Sequence, residues 1–170
     1  MSVNICGIEY PIATTTTLDL SCKNLTSLPD SIGSLSNLKY LDLSENKLTS
    51  LNESIGSLSN LQTLYLYGNY LTNLPESIGS LSNLKYFYLS YNNLTSISES
   101  IQTFTKIEIL KLDESSYDIN NLSMGCHTLI LTDIDNNITN LPPLLRTLYL
   151  KSDINVDMIK LPYGCDIIRF

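Results

Sequence analysis

Basic residues are scarce in this chain: ten lysines and arginines stand against seventeen aspartates and glutamates, for a formal charge of −7. They form no basic run, and that balance excludes a nucleic-acid backbone as the natural partner. Long apolar runs are missing too. None approaches the roughly 20 residues a membrane-spanning helix needs. Met1-Ser2-Val3-Asn4-Ile5-Cys6 lacks a basic stretch leading into an apolar one, so no signal peptide is read and a cytoplasmic chain is expected. Histidine occurs once, at His127, with no nucleophile at a telling spacing. It reads as an exposed strand residue, and no catalytic residue is assigned. No glycine-rich phosphate loop stands in the chain, so no cofactor is expected. The four cysteines form neither a CxxC pair nor a cluster with histidine, so no metal site is expected. Sequons at Asn24, Asn52, Asn93, Asn121 and Asn137 follow from the abundance of Asn, Ser and Thr, and without secretion they are silent.

What the chain does have is repetition. Ile-Gly-Ser-Leu-Ser-Asn-Leu runs from Ile32 to Leu38, from Ile55 to Leu61 and from Ile78 to Leu84, a constant step of 23 residues. Self-similarity at a fixed period signals a solenoid. Four units fill residues 15–106, starting at Thr15, Leu38, Leu61 and Leu84. In the third, the apolar positions are Leu61, Leu64, Leu66, Leu71, Leu74, Ile78 and Leu81. Leu64-Tyr65-Leu66 alternates as a short strand with its leucines inward. Asn69 follows where the chain turns away, and a turned-in amide there can serve backbone groups the turn leaves unpaired. Asn46, Asn69 and Asn92 therefore predict a structural ladder, while Lys23 at the same offset predicts an open edge. Pro75 opens a short helical turn, where its missing N–H is harmless. Ile78 and Leu81 close the coil from the outer side.

This LxxLxLxxNxL pattern resembles the leucine-rich repeat family, in the subtype ending LPxxIGxLxxL that occurs in intracellular scaffold and signalling repeats. The resemblance is strong over residues 15–112. Leu122–Leu131, Leu141–Leu150 and Leu161–Phe170 share a shorter LPxxLxxLxL and resemble FNIP-type repeats, though no Phe-Asn-Ile-Pro stands here. The near-identical copies and the Asn, Ile and Tyr richness look like AT-rich genomes such as those of amoebae and their giant viruses. The resemblance implies an α/β solenoid: a right-handed horseshoe with a parallel concave β-sheet and short helical or 3-10 turns on the convex side. It also implies a non-catalytic protein-interaction module.

Residues 1–14 stand outside the repeat and read as an N-terminal capping hairpin around Gly7. Residues 107–170 read as shorter, irregular repeats of 19–20 residues with a C-terminal cap. Strands are expected at Leu129–Leu131, Leu148–Leu150 and Ile168–Phe170. Cys126 and Cys165 precede Leu129 and Ile168 at an inward offset and read as small buried hydrophobes. An intracellular chain argues against a Cys6–Cys22 bridge. The loops around Tyr117 and Asp135 leave the ladder, with Ser115, Ile134 and Asp153 at its offset.

Outward strand residues should line up in columns. The middle column reads Asp19, Asp42, Tyr65, Tyr88, Lys111, Ile130, Tyr149 and Arg169, acidic at one end and basic at the other. Its neighbours carry Tyr40, Tyr86 and Ile167 on one side and Ser44, Tyr67 and Ser90 on the other, with Tyr91 one position further out. Seven of the eleven tyrosines fall on this face. Tyr40, Tyr65, Tyr67, Tyr86, Tyr88, Tyr91, Lys111 and Tyr149 are therefore the candidate residues for binding a protein or peptide, since tyrosine offers large contact area with a polar tip. Tyrosine is also a good strand former, and its pairs stabilise a sheet face without any ligand. The chain reads as a monomer. The alternative is a structural role, with end-to-end pairing through Ile167, Ile168 and Phe170 at an open solenoid end.

Overall fold

The computed structural model describes residues 1–96, 99–112, 125–132, 141–151 and 159–170, except the side chains of Ser100 and Gln102. The expectations for Tyr117, Asp135, Ser115, Ile134 and Asp153 lie outside the described residues.

The chain opens with an antiparallel hairpin, β1 (Ser2–Ile5) and β2 (Ile8–Pro11). Cys6 and Gly7 join the strands with φ of +54° and +79°. Two successive left-handed residues suit the right-handed twist of the flanking strands. Val3 and Ile5 are buried against the first coil, so the hairpin covers apolar surface that the end of a solenoid exposes.

Eight short strands follow: β3 (Thr17–Asp19), β4 (Tyr40–Asp42), β5 (Thr63–Tyr65), β6 (Tyr86–Tyr88), β7 (Ile109–Leu112), β8 (Thr128–Leu131), β9 (Thr147–Leu150) and β10 (Asp166–Arg169). They form one parallel sheet in strict sequence order. Each coil leaves the sheet, crosses an outer wall and returns one strand further on. Between β3 and β7 the wall is built of 3-10 turns, at Asp30–Ser34, Glu53–Ser57, Glu76–Ser80 and Glu99–Thr103. Pro29 and Pro75 stand just ahead of two of these turns, in extended conformation.

The core is one leucine column between sheet and wall. Leu41, Leu64 and Leu110 point in from the strands and Ile32, Ile55 and Ile78 from the turns, all with no exposed surface. Each contributes about 1.5–3 kcal/mol on burial. In the fourth coil Phe87 from the sheet and Phe104 from the wall meet edge to face, centroids 6.0 Å apart. Two larger side chains thus fill the section where the other coils use leucines.

Adjacent coils are tied by asparagine. Asn69 Nδ2 donates to the carbonyls of Leu43 (2.9 Å) and Leu66 (3.1 Å), and its Oδ1 accepts from the Leu48 N–H (3.0 Å). Asn92 repeats this with Leu66, Leu89 and Leu71. Asn46 serves Leu20 and Leu43 and accepts from the Lys23 and Leu25 N–H groups. Lys23 itself is exposed. A second asparagine series runs along the other side of the coils. Asn37, Asn60 and Asn83 donate to Ala13, Ser36 and Ser59, each reaching one coil back. The Asn of Ile-Gly-Ser-Leu-Ser-Asn-Leu signals this series. Asn52, at the offset of Pro29 and Pro75, also reaches back, to the Leu28 carbonyl at 3.0 Å.

The last strand corrects the expected register. Ile167, not Ile168, pairs with Leu148 and packs on the core, while Ile168 pairs with Tyr149 and Arg169 with Leu150. The strand spans Asp166–Arg169 rather than Ile168–Phe170. Two adjacent isoleucines give no alternation to choose a face, so the preceding turn decides. Cys165 N–H donates to the Pro162 carbonyl at 3.1 Å, and Gly164 has φ +74°. That tight turn shortens the coil by one residue. Cys165 is consequently half-buried, whereas Cys126 is fully buried; all four thiols are free, Cys6 and Cys22 included.

Candidate interaction face

The outward residues of the parallel strands form columns at about 4.8 Å per step. One column runs Thr17, Tyr40, Thr63, Tyr86, Ile109, Thr128, Thr147 and Asp166. The next runs Asp19, Asp42, Tyr65, Tyr88, Lys111, Ile130, Tyr149 and Ile168. Arg169 drops out of it, and Asp166 takes the place expected for Ile167 in the other. Lys111 is therefore the cation of the middle column.

The rings make a connected surface over β4–β6. Tyr40 meets Tyr65 edge to face at 5.7 Å, and Tyr65 lies tilted on Tyr88 at 4.6 Å. Beyond the strand ends Tyr67 meets Tyr91 at 5.1 Å, again edge to face. Tyr86 turns to Glu108 instead: its hydroxyl donates to Oε2 at 2.8 Å, while Lys85 Nζ bonds Oε1 at 2.7 Å. Both bonds hold the Glu108 carboxyl below its ordinary pKa, and the bond to Glu108 raises that of Tyr86. Tyr149 is separated from Tyr88 by Lys111 and Ile130, so it stands apart from the connected rings.

The acidic end is held rigidly. Asp19 Oδ1 accepts from the Ser21 N–H (2.9 Å) and hydroxyl (2.7 Å), which lowers its pKa. Asp42 Oδ1 accepts from the Ser44 N–H at 2.8 Å, and its Oδ2 from the Tyr40 hydroxyl at 3.3 Å. Burial first, and then the Asp42 charge, pushes the Tyr40 phenol up to about 12.

After each of the first four strands of this sheet one residue is left-handed: Cys22, Glu45, Gly68 and Tyr91, with φ between 54° and 66°. Only glycine adopts this without cost. Glu45 and Tyr91 flank Gly68, and a Cβ on Gly68 would meet the Glu45 carboxylate at 3.0 Å. With Asn24, Lys47 and Tyr70 they line a recess of about 370 Å³ beside the sheet. Glu45 and Tyr70 were not singled out by the column pattern, because they lie past the strand ends. The phase of Cys22, Glu45, Gly68 and Tyr91 in the repeat is the signal that would have found this position. Among the described residues no cluster of His, Cys, Asp or Glu can hold a metal, and no helix is long and apolar enough to cross a membrane.

A parallel sheet of leucine coils edged by buried asparagines defines a leucine-rich-repeat solenoid. The sequence profile of the leucine-rich repeat region matches residues 15–129, and the chain belongs to that family. Among solved structures it is similar to a leucine-rich-repeat protein of Leptospira interrogans, with 28% identity and a TM-score of 0.63 over 86% of this chain. It spans only 40% of that protein. It is similar to the plant peptide hormone receptor RGFR1, solved in complex with RGF2, at 25% identity and a TM-score of 0.57, covering 80% of this chain and 29% of that one. Internalin C2 of Listeria monocytogenes shares the fold at 22% identity and a TM-score of 0.60, with 91% and 80% covered. A search of curated proteins gives no match.

Proposed function

We propose that this chain is a non-catalytic interaction module that binds a polypeptide across its concave sheet. Tyr40, Tyr65, Tyr67, Tyr86, Tyr88 and Tyr91 form the contact surface, with Lys111 and Tyr149 extending it toward β9. The observation that carries this reading is the unbroken run of rings from Tyr40 through Tyr65 to Tyr88 on three successive strands. Half-buried aromatics with polar tips are the residue type enriched in binding surfaces. The likeness to a receptor solved with RGF2 supports a polypeptide as the class of partner. The four free thiols fit a reducing compartment such as the cytoplasm. Affinity capture from the source cell, with wild-type chain and with Tyr65→Ala/Tyr88→Ala, tests the reading. A partner retained by the wild type and lost by the variant is expected. Equal retention by both overturns it.

A second reading rests on the far end of the sheet. The outer edge of β10 pairs with no described strand, and Ile168 and Phe170 are 41% and 56% exposed. Self-association through this end would cover them; Ile167 contributes less, being packed on the core. Light scattering decides. A concentration-dependent rise in mass that Phe170→Ser abolishes supports it, and a constant monomer mass removes it.

A further inference from the structure

The charges around the rings point to a more specific occupant. Asp19 and Asp42 are register partners on β3 and β4. Like charges directly opposite destabilise a sheet. Lys23 lies close enough to lower the Asp19 pKa. Even so, the ion pair formed by the described residues, Lys85–Glu108, leaves both aspartates without one. Their carboxylates are also pre-aimed. One oxygen of each is fixed by the backbone N–H two residues on, at Ser21 and Ser44. The second oxygen has no partner among the described residues on Asp19, and on Asp42 only the 3.3 Å contact from Tyr40.

The rings of Tyr40, Tyr65 and Tyr88 begin immediately beside this acidic pair. A guanidinium or ammonium over the carboxylates would lay its aliphatic stem on those rings and gain cation–π attraction. One step past Tyr88 the same column presents Lys111, which has no ion pair among the described residues. Lys85, by contrast, is already neutralised by Glu108. The column is therefore acidic, aromatic, then basic.

Resting on the interaction reading above, we propose that the occupant is an extended peptide lying along the solenoid axis, with a lysine or arginine over Asp19 and Asp42 and an aspartate or glutamate against Lys111. Three to four strand steps separate the two ends, or about 14–19 Å. An extended chain advances about 3.3 Å per residue, which places the two charges about five positions apart. Small or proline residues suit the interval, because they leave the peptide extended over the rings. Charge matching at both ends then fixes the orientation of the bound peptide.

The probe is acetyl-Arg-Ala-Pro-Ala-Pro-Glu-amide, with versions carrying Gln for Arg, Gln for Glu, or Arg and Glu as neighbours. Binding is read by calorimetry at low salt. Each altered peptide is expected to bind about fivefold to tenfold more weakly. Asp42→Asn should lose the discrimination between Arg and Gln, and Lys111→Gln that between Glu and Gln, with melting temperatures unchanged. Equal binding of all four peptides, or no binding of any, overturns this proposal. If a cellular partner is still captured in a Tyr65- and Tyr88-dependent manner in that case, the interaction reading survives and only the charge assignment fails.

Discussion

Asn69 holds five atoms of two coils in place with one amide, and it is 3% exposed. Replacing it with alanine leaves two carbonyls and one N–H buried without a partner, at a cost of about 1–3 kcal/mol. Chemical denaturation of Asn69→Ala should show that loss, and Asn60→Ala, whose amide sits in an exposed bond, should lose less. Asn69 was legible in the sequence because it recurs in phase with Asn46 and Asn92. Tyr40 shows what was not legible. Its phenol is pushed up to about 12, by burial first and the Asp42 charge second. A phenol raised in the folded state adds stability that is complete below its unfolded pKa near 10. That stability is lost as the pH climbs from about 10 to 12. Ring-labelled tyrosine NMR, with Tyr40→Phe to assign the signal, should find this midpoint. Asp42→Asn should bring it down only part of the way, since burial remains.

The repeating element is a three-residue strand joined to a 3-10 turn, and its glycine is needed for space rather than for backbone freedom. A Cβ on Gly56 would stand 2.5 Å from the Ser77 carbonyl oxygen of the next coil, and one on Gly33 2.6 Å from that of Ser54. Gly56→Ala must push two turns apart, an overpacking cost of about 1–3 kcal/mol. Urea denaturation should show the shortfall, while Ser57→Ala, on an exposed or half-buried wall position, should lie close to wild type. The sequence displayed this glycine three times but could not say what it touches, because the contact is between coils 23 residues apart. Strand register was legible wherever leucines alternate, from Leu18 to Leu150. It failed at Ile167-Ile168, where two apolar neighbours fit either face and a turn at Pro162–Cys165 made the choice.

At the scale of the molecule the two ends differ. The hairpin buries Val3 and Ile5 against the first coil, while at β10 Ile168 and Phe170 remain exposed. The face between them could be drawn from the repeat period alone, since a fixed stride assigns every outward residue to a column. Its internal contacts could not. Tyr65 rests on Tyr88, Tyr86 is engaged by Glu108, and Tyr149 stands three strands away from the connected rings. Those distinctions depend on side-chain directions that period does not encode. They divide the tyrosines into a connected patch for contact and others that serve the sheet.

Whether that patch is for recognition or for the sheet itself is decided by measuring affinity and stability on the same variant. For the captured partner, Tyr65→Ala/Tyr88→Ala is expected to weaken binding by at least about thirtyfold. Its melting temperature should fall by less than about 5 °C, as befits two half-buried surface rings. Unchanged affinity together with a steep drop in melting temperature would contradict the account and make the rings a stacking device of the sheet.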